Sequence, residues 1–133
     1  MQTFLPYANF RQSAAVLDRQ RLGKQRVEGY QILRTLLRLS DGWANHPAVR
    51  MWAGYELPLY LYTTACIIEW QNRGYVNNMV LPVPFSRDPT MPPWFGDERI
   101  HSSHRSNLLR KKPDWYEQFE WDDDPTCPYY WPV

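Results

Sequence analysis

Apolar residues recur at helical spacing over three long stretches of the chain, and on each of them part of the stripe is polar and basic. The first stretch runs from Asn9 to Leu39, where Ala14, Leu17, Ile32, Leu36 and Leu39 fall on one face of an ideal helix. Asn9 or Ser13 can cap it, and Asp41-Gly42 closes it. The second opens at Asn45-His46-Pro47 and runs to Arg73, with Gly74 as its stop and Pro58 as an expected kink. Its apolar stripe reads Ala53, Leu57, Leu61, Thr64 and Ile68, extended at the start by His46 and Arg50. The third, Asp97 to Lys112, has acids in its first turn and bases in its last, which suits the helix dipole.

The intervening segments read differently. Residues 1–8 are mainly apolar around Pro6 and predict an extended lead-in packed on the core. Tyr75 to Gly96 has no sustained period and is rich in proline, a long ordered loop anchored by Trp94 and Phe95. After Pro113 come a short turn or helix, an acidic run and an aromatic tail. The expected fold is all-α: one compact three-helix domain over residues 1–133, with a long Pro-rich loop between helices 2 and 3.

One part of the first stripe is anomalous. Asp18 to Glu28, DRQRLGKQRVE, holds six charged side chains in eleven residues. Arg21, Lys24, Gln25 and Glu28 lie within about 100° of one another on a helix, on the same face as the apolar residues before and after them. Charges on an inward face are costly unless paired or used. The same pattern also fits a solvated basic face broken at Gly23, and periodicity leaves both readings open.

Charge sharpens the picture. The net charge of +1 conceals eight bases against three acids in residues 1–50 and five against two in residues 97–112, offset by six acids and no base after residue 112. Two basic segments in one small domain can form a phosphate-facing surface, although the acidic tail could equally neutralise them. No run of eighteen apolar residues is present, so no membrane span is expected, and the N-terminus shows no secretory pattern. Cys66 and Cys127 lack metal-type spacing and read as free thiols of a cytoplasmic protein.

Three helix segments thus offer Arg21, Lys24, Gln25 and Glu28; His46 and Arg50; and His101, His104 and Arg105. A pocket built from them would be cationic around one principal carboxylate, suited to phosphates and to general acid/base work. Zinc held by His46, His101 and His104 is disfavoured by the surrounding arginines and by the lack of an HExxH or CxxC motif. No Gly-rich phosphate loop or nucleophile elbow is present, and neither metal nor cofactor is expected.

Three stretches carry a family resemblance: RLGKQRVE (Arg21–Glu28), VRMWAGYELPLYLYTTACIIEWQNRGY (Val49–Tyr75) and SHRSNLLRKKPDWYEQF (Ser103–Phe119). In order and spacing they resemble the pyrimidine-dimer DNA glycosylases, the small glycosylase/AP-lyases called endonuclease V of the thymine-dimer type. The segments Val76–Pro93 and beyond Trp121 match poorly. The resemblance implies a helical protein that binds and bends duplex DNA and flips a nucleotide. It further implies an N-terminal α-amine that attacks C1′, forms an imine and cuts the strand by β-elimination, with Glu28 as the assisting glutamate. An α-amine has a reference pKa of about 8 and is therefore partly neutral at physiological pH.

The family's nucleophile follows loss of the initiator Met, whereas the large Gln2 here blocks that removal. The α-amine of Met1 is then the expected nucleophile, with Lys24 an alternative by position. Arg21, Lys24, Gln25, Arg26, His46, Arg50, His101, His104 and Arg105 are the expected DNA-binding residues. The expected partner of this nucleoid-associated monomer is double-stranded DNA, with no membrane. Two readings stay beside this one: a DNA binder of the same fold, or a glycosylase for a different modified base. An interaction module using the acidic, aromatic tail is a third, which the charge pattern disfavours.

Overall fold

The computed structural model describes residues 1–133 and is all-helical, with no strand. Its elements are α1 (Phe10–Val16), α2 (Arg19–Leu36), α3 (Pro47–Arg50), α4 (Glu56–Asn72), α5 (Glu98–Lys111) and α6 (Pro113–Tyr116), followed by a 3₁₀ turn at Glu117–Phe119. The all-α expectation holds, but three helices is an undercount, and each extra boundary has a local cause.

The first expected helix is two. At Leu17 and Asp18 the chain is extended, with ψ of 138° and 160°. Asp18 is buried; its backbone N–H donates to the Tyr116 hydroxyl (3.0 Å), and that hydroxyl donates to its carboxylate (2.6 Å). A short acidic side chain that takes such a partner competes with the helix ladder and cuts it here. Gly23, by contrast, breaks nothing and lies well inside α2. The second expected helix is also divided, into α3 and α4, by a bend through Gly54 at φ +85°. Its cap is His46 rather than Asn45, the imidazole Nδ1 accepting from the Ala48 N–H at 3.0 Å. Pro58 does not kink α4, because it falls in the first turn, where a missing N–H leaves no bond unmade. Asn9 caps α1 and Gly74 ends α4 as expected, and Asp97, expected inside the third helix, caps α5 through its side chain, which accepts from the Arg99 N–H.

The packed face of α4 differs from the expected stripe as well. Leu59, Tyr62, Thr63 and Cys66 are buried, while Leu61 and Ile68 are exposed. This helix is apolar nearly all round, so period alone cannot select its inner face. A close approach selects it instead. Gly29 on α2 sits against Thr63: a Cβ there would lie 2.8 Å from Thr63 Cγ2 and closer still to Oγ1. Gly23 meets the Trp70 ring in the same way, at 3.1 Å. The pairs 29/63 and 23/70 run α2 and α4 antiparallel.

The Pro-rich loop from Val76 to Pro93 has no regular structure. Trp70 Nε1 donates to the Val76 carbonyl (3.0 Å) at its start, and the buried Trp94 donates to the Met51 carbonyl (2.9 Å) just past its end. The tail lies back along α5. Asp123 pairs with Arg105 (2.8 Å), Arg110 donates to the Pro125 carbonyl (2.7 Å), and Tyr129 packs on Phe4 and His104.

Because Gly29 sets the distance between α2 and α4, Gly29→Ala is expected to destabilise the fold by about 2 kcal/mol through overpacking. Adding Thr63→Ala should recover part of that loss. Urea unfolding of both variants checks this, and a neutral Gly29→Ala would refute it.

Candidate active site

The site is built by the lead-in, residues 1–8, and by what holds it. Residues 2–6 are buried but have no regular structure, and no strand pairs with them. Buried backbone groups need partners, and here side chains supply them. Gln25 acts like a piece of strand: its Oε1 accepts from the Phe4 N–H (2.9 Å) and its Nε2 donates to the Gln2 carbonyl (2.9 Å). The Tyr62 hydroxyl lies 2.7 Å from the Phe4 carbonyl and 2.6 Å from Gln25 Oε1. His104 Nδ1 accepts from the Leu5 N–H (2.9 Å), while His101 Nδ1 donates to the Leu5 carbonyl (2.7 Å). Arg105 donates to the Pro6 carbonyl (2.8 Å), and Trp52 Nε1 to the Thr3 hydroxyl (3.0 Å).

This harness delivers Met1 to a cleft of about 270 Å³ against α2. Gln20, Arg21, Lys24, Gln25 and Glu28 of α2 line it, with Met1, Gln2 and Phe4 of the lead-in and with Lys111 and Tyr129. The Glu28 carboxylate is oriented by two donors to Oε2, the Gln25 amide at 3.0 Å and the Gln2 backbone N–H at 3.3 Å. One carboxylate therefore stands beside the N-terminal residue, ringed by cations. The Arg21 guanidinium is shared with buried Asp18 at 3.2 Å. Lys24 and Lys111 stand exposed and outside every ion pair of the chain. Burial pushes the Tyr129 hydroxyl up to about 12, so it remains a proton donor at the cleft wall.

The other expected residues go elsewhere. His101 and His104 are buried, with relative exposures of 2% and 1%, and their rings serve the main chain of the lead-in and, for His101 Nε2, the Gly96 N–H (3.0 Å). Expecting them on a DNA-facing surface is corrected by that burial, which leaves no ring edge for a duplex. Gln25 is likewise a core residue, 1% exposed, although it also lines the cleft. Arg105 is committed to Asp123, Glu98 and the Pro6 carbonyl. Arg26 lies on another face of α2, stacked on Trp70 (4.3 Å to the ring centre) and donating to Asn77 (2.6 Å). Arg50 lines a separate recess with Asp97 and Arg99. His46 is outside the cleft wall but near it: burial and the positive charge of the N-terminus lower its pKa, while Glu28 acts in the opposite sense.

Gln2, Phe4, Gln20, Lys111 and Tyr129 were missed among the cleft residues. Lys111 belongs to a basic segment that the charge count flags, but it sits at the opposite end of α5 from the histidines. Nothing in the local pattern singles out Tyr129. Cys66 is buried, its thiol pushed up to about 12 by burial, and is an inert core residue. No three His, Cys, Asp or Glu side chains come together as a metal site, and no helix is long and apolar enough to cross a membrane.

A family model described as pyrimidine dimer DNA glycosylase matches residues 1–82, which contain the lead-in, Glu28 and the whole α2 wall of the cleft. No curated protein and no solved structure matches the chain.

The harness carries a pH dependence. Burial, with help from His101 and Arg105, lowers the His104 pKa from 6.5 to about 3. The unfolded chain then binds more protons than the folded one between those values, so stability is full above pH ~6.5 and falls as pH drops toward 3, by a few kcal/mol. Urea midpoints across that range should show the slope. His104→Asn should be less stable at pH 7 but flatter with pH; an unchanged slope would remove His104 as its source.

Proposed function

The chain belongs to the pyrimidine dimer DNA glycosylase family, and from that premise we propose that it excises a damaged or modified base from duplex DNA with the Met1 α-amine as nucleophile and Glu28 as its partner. The observation that carries this reading is the pairing of Met1 and Glu28 in one cationic cleft, with the Gln2 N–H bonded to the Glu28 carboxylate.

The chemistry follows from these groups. The amine nitrogen bonds to C1′ while the C1′–N bond to the base breaks, and the base leaves with that electron pair. A carboxylate beside C1′ stabilises the positive charge that develops on the sugar, in a site whose donors are already oriented. Once the base has gone, the amine nitrogen loses a proton and the sugar ring oxygen gains one as the ring opens to an imine. Loss of a C2′ proton then expels the 3′-phosphate, and water releases the enzyme. Glu28 is within reach of these proton transfers, and the Gln25 amide prevents it from swinging away.

Lys24 and Lys111 at the rim are suited to flanking phosphates, with Arg21 behind them. Such contacts are insensitive to sequence and dominate salt dependence. The selected base is governed by the cleft wall, to which the tail contributes Tyr129. This reading goes with a cytoplasmic, nucleoid-associated protein.

Borohydride trapping on duplex DNA with an abasic site tests the amine. The expected result is a covalent adduct that maps to the N-terminal peptide, whose mass also reports whether Met1 is retained. An adduct on Lys24, or none at all, would overturn the assignment. Glu28→Gln should bind DNA but lower strand cleavage by roughly 10²-fold or more. Lys24→Ala and Lys111→Ala should each weaken binding to all sequences and reduce the slope of log K against log salt by about 1.

A further inference from the structure

A second surface of the protein shares no residue with the cleft. Between α1 and α4 runs a groove of about 790 Å³, and Phe10, Ala15, Leu61, Ala65 and Ile68 are its apolar lining. Leu61 and Ile68 stand in water on the outer side of α4. Single exposed apolar residues are ordinary, but a contiguous apolar groove marks a place where something docks. Arg11 and Glu69 also line it. Glu69 is paired with Arg73, whereas Arg11 is exposed and outside every ion pair of the chain.

The Pro-rich loop carries a segment suited to such a groove. Residues 74–86 contain no charged side chain, and residues 76–86 make no backbone–backbone hydrogen bond. From Tyr75 to Leu81 half-buried and exposed residues alternate as along a strand, which turns Val76, Asn78 and Val80 outward. Val83 and Phe85 are exposed beyond Pro82, and Phe85 is 96% exposed. An extended edge that must stay single normally carries a charge to block pairing, and this one carries none before Arg87. Pro82 and Pro84 stiffen the arm, which lowers the entropy lost when it docks.

We propose that the exposed arm around Phe85 inserts into the α1–α4 groove of a second copy of this chain, and that the reverse contact closes a two-fold pair. This goes beyond the glycosylase reading and does not rest on it. The occupant follows from what one chain carries. No residue of the arm lines its own groove, so the groove and the arm are both left for another molecule, and each copy supplies what the other lacks. The charges correspond as well. Just past Phe85 the arm carries Arg87 and Asp88, exposed and outside every ion pair, opposite in sign to Glu69 and Arg11 of the groove. One arm in one groove is a small contact; two-fold symmetry doubles it, toward the ~1,200 Å² at which specific interfaces begin. The pair takes the place of the monomer expected from the sequence and leaves Met1 and Glu28 of each copy outside the contact.

Sedimentation equilibrium of the full chain over a dilution series, without DNA, tests the pair. Wild-type protein is expected to weigh two chains and to dissociate on dilution. Phe85→Ser and Ile68→Lys alter side chains that already face water, so both should stay helical by circular dichroism while each weakens the dimer about tenfold or more. Arg11→Asp should weaken it too, and adding Asp88→Arg should restore it. Wild-type protein that is monomeric at every concentration would overturn the proposal. A dimer that survives Ile68→Lys but not Phe85→Ser would mean that arm pairs with arm, and one that survives Phe85→Ser would mean another interface; either overturns it. Borohydride trapping on abasic DNA should be equal in wild type and both single variants. Trapping lost together with the dimer would put the interface over the cleft and overturn the arrangement, whereas a dimer that never traps would leave the pair standing and remove the amine chemistry.

Discussion

A buried segment without regular structure is held in this protein by side chains, and the rest of the site depends on that arrangement. Gln25 and Tyr62 pair with residues 2 and 4, while His101, His104 and Arg105 pair with Leu5 and Pro6. Each buried bond is modest in net terms, but leaving any of these backbone groups unmet would cost about 1–3 kcal/mol. The lead-in is consequently fixed rather than frayed, as chain termini commonly are. Its first residue arrives beside Glu28 because the hydrogen-bond register of Gln25 puts it there.

The same logic explains why so many polar residues point inward. The basic-to-apolar stripes on α2 and α5 resemble one binding surface, but they do two jobs. On α5 the polar end is internal support: His101, His104 and Arg105 are consumed by the lead-in and by the acidic tail. On α2 the support role falls mainly to Gln25, with one bond from the Gln2 N–H to Glu28, which leaves Lys24, the Glu28 carboxylate and part of Arg21 at the cleft. Lys111 restores a contribution from α5 at its far end. Arrangement rather than composition separates scaffold from site.

Packing of α2 on α4 is the second constraint. Gly29 and Gly23 let the helices approach until Thr63 and Trp70 fill the missing side chains, and this fixes which face of an almost wholly apolar α4 turns inward. Tyr62 thereby reaches Gln25 and the lead-in. The helical stretches, the Asn9 cap, the Gly74 stop, the packed N-terminal lead-in and the anchoring of the Pro-rich loop by Trp94 were legible from local pattern, because propensity, capping and period are local properties. The breaks at Asp18 and Gly54 were not, since the first depends on Tyr116, 98 residues away.

By itself, then, the sequence determined the helical class, the charged interruption at Asp18–Glu28 and, through its order of motifs, the family. It also pointed to Glu28 as the principal carboxylate, since one acid among many bases on a helix face is visible in period and charge alone. Only the tertiary structure decided which of the polar residues share a cleft, and it separated Met1, Lys24 and Glu28 from His101 and His104. A histidine that satisfies a buried carbonyl and one that meets solvent look identical along the chain. What distinguishes them is whether a distant backbone group arrives to take the bond, and that is a property of the folded chain.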